Sequence, residues 1–339
     1  MGNIRTPCFW ITQGVDGMPK PWDHFHVDNV MVNAYEILRS PAWTKRVRED
    51  GIHKSIGFDG PIMMDSGGFL LLKKKMMVVK LEDIVDLYEK SYTNYCVALD
   101  CPVRPSTHFS REREVQKITL GNLSKMMALR KTNNPYMVPV IHGSSIQSVE
   151  WFVSRLEKKA DFDFIGVGSL VPSLFKLKGA LGIRDAISII AYIRKRLPEA
   201  TLHTFGVGSM ITMHLMFLLG IDSIDSSAWR TKAAYGAIQL RGVGDRYITS
   251  NRRSLVKRKL SKDEKHMLED CRCPGCRGDG LRGLRRSFRL RALHNAWVFQ
   301  QEVSITRRMI RTGKYENYAR DILRTSRYRL PLQVNGYLD

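Results

Sequence analysis

From Gly60 to Ser227, short apolar runs alternate with longer amphipathic stretches, and this alternation constrains the fold more than any other feature of the chain. The pattern is that of repeated βα units, with strands buried on both faces and helices that show one apolar face to a sheet. Strands are expected at Gly60–Met64, Tyr95–Leu99, Met137–Ile141, Phe164–Val167, Leu202–Phe205 and Ile221–Ile224. Each runs into a polar or glycine-bearing turn: Asp65-Ser66-Gly67-Gly68, Asp100-Cys101-Pro102, His142-Gly143-Ser144, Gly168-Ser169, Gly206-Val207-Gly208 and Asp225-Ser226-Ser227. Helices are expected over Leu81–Tyr92, Val149–Lys159 and Ala180–Arg196. A unit length of about 25 to 45 residues suits an α/β fold of the (β/α)8 TIM-barrel class. An open doubly wound sheet shares these local patterns, but no glycine-rich dinucleotide loop follows the first strand. Reactive side chains also recur at the C-terminal ends of several strands, the face on which barrel enzymes carry their sites.

After Asp225 the alternation fades into a basic, cysteine-bearing stretch and a last long helix near Arg289–Arg311. The expected division is a TIM-barrel catalytic core over 1–250, a basic zinc-binding subdomain over 251–300 and a C-terminal helical segment over 301–339 that closes the barrel. Three of the six cysteines fall within Cys271-Arg272-Cys273-Pro274-Gly275-Cys276, too close together to bridge comfortably, which favours metal ligation in a reducing compartment. Structural zinc takes four ligands in a tetrahedron, commonly four cysteines or three cysteines and a histidine. No cysteine lies downstream, so a histidine must close the shell: His294, in a segment able to fold back, is favoured over His266, only five residues before Cys271. Cys8 and Cys96 read as core residues; Cys101 stands beside a candidate site.

The 54 basic and 33 acidic residues give a formal charge of +21, with the basic residues densest between Arg252 and Arg291. A surface of that sign attracts polyanions and releases their counterions, so nucleic acid is the leading partner. No membrane span is visible: the apolar stretch Ile211–Ile221 contains His214 and falls short of the roughly 20 residues a bilayer demands. The opening Met-Gly-Asn-Ile-Arg-Thr fits a myristoylation pattern, but it leads directly into Pro7-Cys8-Phe9-Trp10, which reads as folded core.

Three acids stand at expected strand ends: Asp65, Asp100 and Asp225. One such acid is unremarkable, but three at successive rims suit glycosidic chemistry, which requires a nucleophile and a proton carrier. The runs Asp65-Ser66-Gly67-Gly68-Phe69, Leu99-Asp100 before Pro102, Gly206-Val207-Gly208 and Gly220-Ile-Asp-Ser-Ile-Asp225-Ser226, with the cysteine cluster and His294-Asn295, resemble the queuine and archaeosine tRNA-guanine transglycosylases. They occur in that family's order and extend from about Thr6 to Gln300. The resemblance implies a TIM barrel with a C-terminal zinc-binding insert and a base-exchange reaction, in which a flipped guanine leaves and a free 7-deazaguanine takes its place.

Residue by residue, the resemblance makes Asp225 the nucleophile and Asp65 the general acid/base. Asp100 is implied to read the purine edge, Phe69 and Phe205 to sandwich the base, and Gly168, Ser169 and Leu170 to read the heterocycle through their backbone, with Ser66 and Gly67 beside it. His142 stands where the family has a base-contacting glutamine, and Leu70 where it has glutamine after Gly-Gly-Phe. The run after the nucleophile, Ser226-Ser227-Ala228-Trp229-Arg230-Thr231-Lys232, departs from the bacterial tRNA enzymes, and no archaeal RNA-binding domain is expected after the zinc region. With the charge, these departures look like the DNA-modifying branch, which inserts bases such as preQ0. DNA is therefore expected over tRNA, with Arg230, Lys232, Arg277, Arg282, Arg285, Arg286 and Arg289 on the nucleic-acid backbone. Free 7-deazaguanine is the small partner. A homodimer or accessory proteins, and a bacterial or phage-infected cytoplasm, go with the same resemblance.

Overall fold

The computed structural model describes residues 4–68, 79–103, 109–174, 182–249 and 260–339. Nine strand segments form its main sheet: β1 Cys8–Thr12, β2 Asn29–Asn33, β3 Ile62–Asp65, β4 Tyr95–Val97, β5 Tyr136–Val138, β6 Val140–Ile141, β7 Phe164–Val167, β8 Thr201–Thr204 and β9 Ser223–Ser226. Their order is β5-β4-β3-β2-β1-β9-β8-β7-β6, and every pairing is parallel. The two ends of that order, β5 and β6, are separated by Pro139 alone.

They are one strand that changes neighbour. Val138 pairs with Val97 on β4, whereas Val140 pairs with Gly166 on β7. Proline has no N–H to give to a ladder, but its carbonyl still accepts from Gly166 N at 2.8 Å. The sheet therefore closes on itself as an eight-stranded barrel, with no open edge. The expected TIM barrel is the observed fold. Four expected strands lie within two residues of β3, β4, β7 and β8, and Met137–Ile141 covers β5 and β6. The last, Ile221–Ile224, begins and ends two residues before β9. Two further strands, β1 and β2, complete the ring.

Side-chain parity then fixes what faces inward, because successive residues of a strand point to opposite faces. Cys8, Trp10, Met31, Met63, Tyr95, Val97, Val138, Val140 and Phe164 pack together as the barrel's interior. The intervening residues, among them Phe9, Ile11, Val30, Ile62 and Cys96, join the larger cluster under the surrounding helices. Continued toward the C-terminal rim, the inward register delivers Thr12, Asn33, Asp65, His142 and Gly168. On the last two strands the same face carries His203, Phe205, Ser223 and Asp225. Apolar residues fill the floor and polar ones line the mouth.

The helices sit close to their expected places. Leu81–Ser91 ends at Tyr92, which takes a left-handed φ of 55°. Ile146–Leu156 begins three residues earlier than expected because the Ser145 side chain caps it, accepting from Ser148 N. Beyond β9, a helix over Ala228–Ala234 leads into an antiparallel hairpin, β10 Ala237–Leu240 with β11 Gly244–Tyr247. The hairpin, Leu268, Cys273, Cys276 and Leu284 share a second, smaller core. The 24-residue helix Phe288–Arg311 joins that core to the barrel. Its Phe299 ring stacks on Phe9 of β1, with centroids 4.5 Å apart, and its Glu302 is buried against His214, Nε2 to Oε1 at 2.9 Å. Among the described residues no helix is long and apolar enough to cross a membrane.

Candidate active site at the barrel rim

Asp225 lies near the end of β9, 6% exposed, with both carboxylate oxygens held. Thr12 Oγ1 donates to Oδ2 at 2.7 Å, and Gly206 N donates to Oδ1 at 2.8 Å. His203, fully buried on the neighbouring strand, brings Nε2 to 3.4 Å from the same Oδ1. Asp65 ends β3, opposite Asn33 of β2 in the register. The Asn33 amide donates to Asp65 Oδ2 at 2.7 Å, while its carbonyl oxygen accepts from Glu36 N and caps the next helix. This double use fixes the amide's orientation. Gly67 N adds a longer contact to Oδ2, at 3.3 Å.

Burial, then the negative charges of Asp100 and Asp225, push the Asp65 carboxyl up to about 7. Like charges gathered in a partly dry site disfavour further ionisation, so Asp65 is the member of the group suited to carry a proton near neutral pH.

Asp100 is held from behind. His142 Nε2 meets its Oδ2 at 2.8 Å, and His142 Nδ1 meets Ser169 Oγ at 2.8 Å. Ser169 Oγ in turn accepts from Val103 N at 2.9 Å. The His142 side chain is wholly buried, so it supports Asp100 and does not line the open mouth. The glycines here are demanded by close approach. A Cβ on Gly68 would stand 2.3 Å from Asp100 Oδ1, and one on Gly168 2.4 Å from His142 Cε1. Ser169, the next residue, holds a left-handed φ of 66°. Glu112 and Gln116 anchor the intervening loop, accepting from Ser144 N at 2.7 Å and donating to the His142 carbonyl at 2.6 Å.

The structure thus brings Asp65, Ser66, Gly67, Asp100, His142, Gly168, Ser169, Phe205 and Asp225 to one rim. Leu170 follows with its side chain in the core. Phe205 is half-buried and lies over Gly166, where a Cβ would meet the ring at 2.6 Å. Phe69 and Leu70 lie outside the described residues. Sequence reasoning missed Thr12, Asn33, His203 and Ser223. Their signal was parity: each falls on the inward register of a barrel strand.

The cysteine cluster forms a separate site. Cys271, Cys273, Cys276 and His294 place their ligand atoms within 4.8 Å of one another, an arrangement that could hold a metal ion. His294 Nδ1 lies 3.7, 3.4 and 3.4 Å from the three sulfurs. Its Nε2 donates to the Gln239 carbonyl at 2.9 Å, which fixes the tautomer and leaves Nδ1 free as a ligand. His266 is exposed and paired with Glu269 at 3.0 Å, away from the cluster. Next to His294, Asn295 clasps the Trp229 carbonyl at 3.0 Å and Gln239 N at 2.7 Å. Trp229 Nε1 donates to the carbonyl of Thr12, the same residue that holds Asp225.

Of the basic residues, Arg230, Arg277, Arg282, Arg285, Arg286 and Arg289 are exposed. Lys232 is paired with Asp245 and mostly buried, and this burial lowers its pKa. Arg291 is buried as well, donating to the carbonyls of Ala233 and Leu284 at 2.9 and 2.8 Å.

Against this geometry, a family model described as queuine tRNA-ribosyltransferase matches residues 1–328. The chain belongs to that family. The tRNA-guanine(15) transglycosylase of Methanosarcina mazei is 29% identical over 300 residues, covering 87% of this chain and 57% of its own length. The enzyme of the same name from Pyrococcus abyssi is 26% identical over 302 residues, covering 87% of this chain and 48% of its own length. That from Methanococcus aeolicus is 28% identical over 323 residues, with 91% and 47% covered. The chain thus spans about half the length of the curated relatives it matches. The expected membership of the superfamily is met. The relatives' names specify tRNA, and none of the three specifies DNA.

Proposed function

We propose that the chain exchanges guanine in a nucleic acid for a free 7-deazaguanine through a covalent intermediate on Asp225. One observation carries the reading. At this rim burial and neighbouring negative charge push Asp65 up to about 7, beside Asp225 with both oxygens held by hydrogen-bond donors. A carboxyl group able to hold a proton near neutral pH, beside a carboxylate aimed by hydrogen-bond donors, is what an acid/base and a nucleophile require. The Asp225 carboxylate attacks C1′ of the sugar as the bond to guanine N9 breaks. The bonding pair leaves with the base, which takes the proton from Asp65. The incoming base returns a proton to Asp65 as its own nitrogen attacks C1′ and frees Asp225. Phe205 offers a ring to the flipped base and Asp100 an acceptor to its edge.

The cysteine cluster suits Zn2+. Zinc bonds of about 2.3 Å to sulfur and about 2.0 Å to nitrogen give a tetrahedral edge near 3.5 Å, and the N···S separations are 3.4–3.7 Å. With three thiolates and one imidazole the shell is full, so the ion would act as a structural staple beneath the exposed arginines.

The relatives' names favour tRNA as the nucleic acid, and tRNA is the first reading. DNA is the second, favoured by the altered run after Asp225 and by the +21 charge. Incubation with radiolabelled preQ0 and either bulk tRNA or duplex DNA separates them. Label in tRNA alone removes the DNA reading, and label in DNA alone removes the tRNA reading. Folded, metal-replete protein that labels neither overturns base exchange itself.

A further inference from the structure

Behind Asp225 stands a group the proposed reaction does not use. The His203 side chain is fully buried and sits edge-on to Phe205, with centroids 4.4 Å apart, and to Phe164, at 6.2 Å. Its Nδ1 meets Ser223 Oγ at 2.8 Å. Among the described residues its Nε2 has no hydrogen-bond partner, and it lies 3.4 Å from Asp225 Oδ1.

The proton on this ring can be assigned by elimination. A serine hydroxyl has one hydrogen and two lone pairs. Ser223 Oγ already accepts from Trp10 Nε1 at 2.9 Å and from Cys8 Sγ at 3.3 Å. Its own hydrogen is therefore left for His203 Nδ1, which must be the acceptor. The neutral imidazole then carries its hydrogen on Nε2, directed at the carboxylate. A separation of 3.4 Å is one small adjustment from a hydrogen bond, and such contacts commonly tighten when substrate binds.

The same device occurs a second time on this rim. His142 presents Nε2 to Asp100 at 2.8 Å, and its Nδ1 faces Ser169 Oγ, which accepts from Val103 N. Two acids are thus backed by an imidazole whose far nitrogen is satisfied by a serine that is itself accepting an N–H. Asp65 is backed by the Asn33 amide instead.

We propose that His203 is a positioning residue for Asp225: Ser223 holds it as the Nε2–H tautomer, and that hydrogen aims Oδ1 and steadies the carboxylate in its attacking orientation. The inference rests on the base-exchange reading for its catalytic consequence, but not for its geometry. His203→Phe keeps a ring and removes the donor. His203→Gln restores an amide N–H as many bonds from the backbone as Nε2.

With the substrate established by labelled preQ0, His203→Phe is expected to lower kcat about 10- to 100-fold, as for other second partners of functional side chains, with KM nearly unchanged. His203→Gln should recover most of the loss. Nitrogen-15 NMR of histidine-labelled wild-type protein should show His203 protonated at Nε2 and bare at Nδ1, with that preference weakened in Ser223→Ala. A proton on Nδ1 in the wild type, or a His203→Phe enzyme with unaltered kcat, overturns the proposal. Should His203→Phe fail to fold, the wild-type tautomer and the His203→Gln kinetics still decide it. A wild-type protein that exchanges no base ends the functional reading, while the NMR result still decides the arrangement.

Discussion

The barrel rim and the cysteine cluster each gather ionisable side chains around histidine, and they handle charge in opposite ways. At the rim three carboxyl groups of one sign are brought together, and Asp65 is driven up to about 7 by burial and by its two neighbours. In the cluster three thiols and the bare Nδ1 of His294 converge on one point, where a cation would neutralise them. The rim stores unfavourable electrostatics and leaves a mouth open. In the cluster a bound cation would relieve them and leave no free position. A working site and a staple can be told apart by this difference before either is assigned a reaction.

The sharpest way to break the comparison is to exchange the two losses. Asp225→Asn should lower exchange by at least about 10³-fold and abolish any covalent adduct on denaturing gels, with metal content and melting temperature unaltered. Cys273→Ser should do the reverse in kind: metal content by atomic absorption falls to zero and the melting temperature drops. Nucleic-acid binding should then weaken before the rim chemistry is touched. If Asp225→Asn also lost its metal, the two regions would not be separable.

A smaller effect concerns Asp65. Its folded value lies above the ordinary 3.8, so between 3.8 and about 7 the folded state binds more protons than the unfolded chain. Stability contributed by this group therefore falls as pH rises through that window. Asp65→Asn removes the penalty. The variant should gain about 1–3 kcal/mol over wild type at pH 8 and little at pH 4, read from paired thermal melts. In the wild type, exchange should decline as pH rises past about 7 and the acid loses its proton. A stability difference that does not grow with pH would refute the crowding.

The smallest effect belongs to the surface. Arg285→Ala should reduce the salt slope of nucleic-acid binding by about 0.7–0.9 and leave kcat alone. Lys232→Ala should not change that slope, because its ammonium is engaged by Asp245.

Much of the fold was legible because its signals are local. Alternation marked the barrel, apolar periodicity placed helices within a few residues, and thiol spacing marked the cluster. The first two strands were not legible. Cys8–Thr12 and Asn29–Asn33 are buried along nearly their whole length, and so short an apolar run has no periodicity to separate strand from helix. Their loss hid Thr12 and Asn33, which hold the two proposed catalytic acids. The β10–β11 hairpin went unseen as well, since β10 is only four residues long and its partner β11 is polar. His142 was visible as a departure from the family pattern, but only three dimensions show that it stands behind Asp100.

The hydrogen bond from Thr12 to Asp225 joins residues 213 positions apart. A chain emerging from the ribosome has therefore displayed Asp65 and Asp100 long before the strand that bears Asp225 exists. Contacts of such long range close late and slowly. The reactive constellation therefore cannot assemble until the strand bearing Asp225 has been made, and no shorter nascent chain carries the proposed nucleophile.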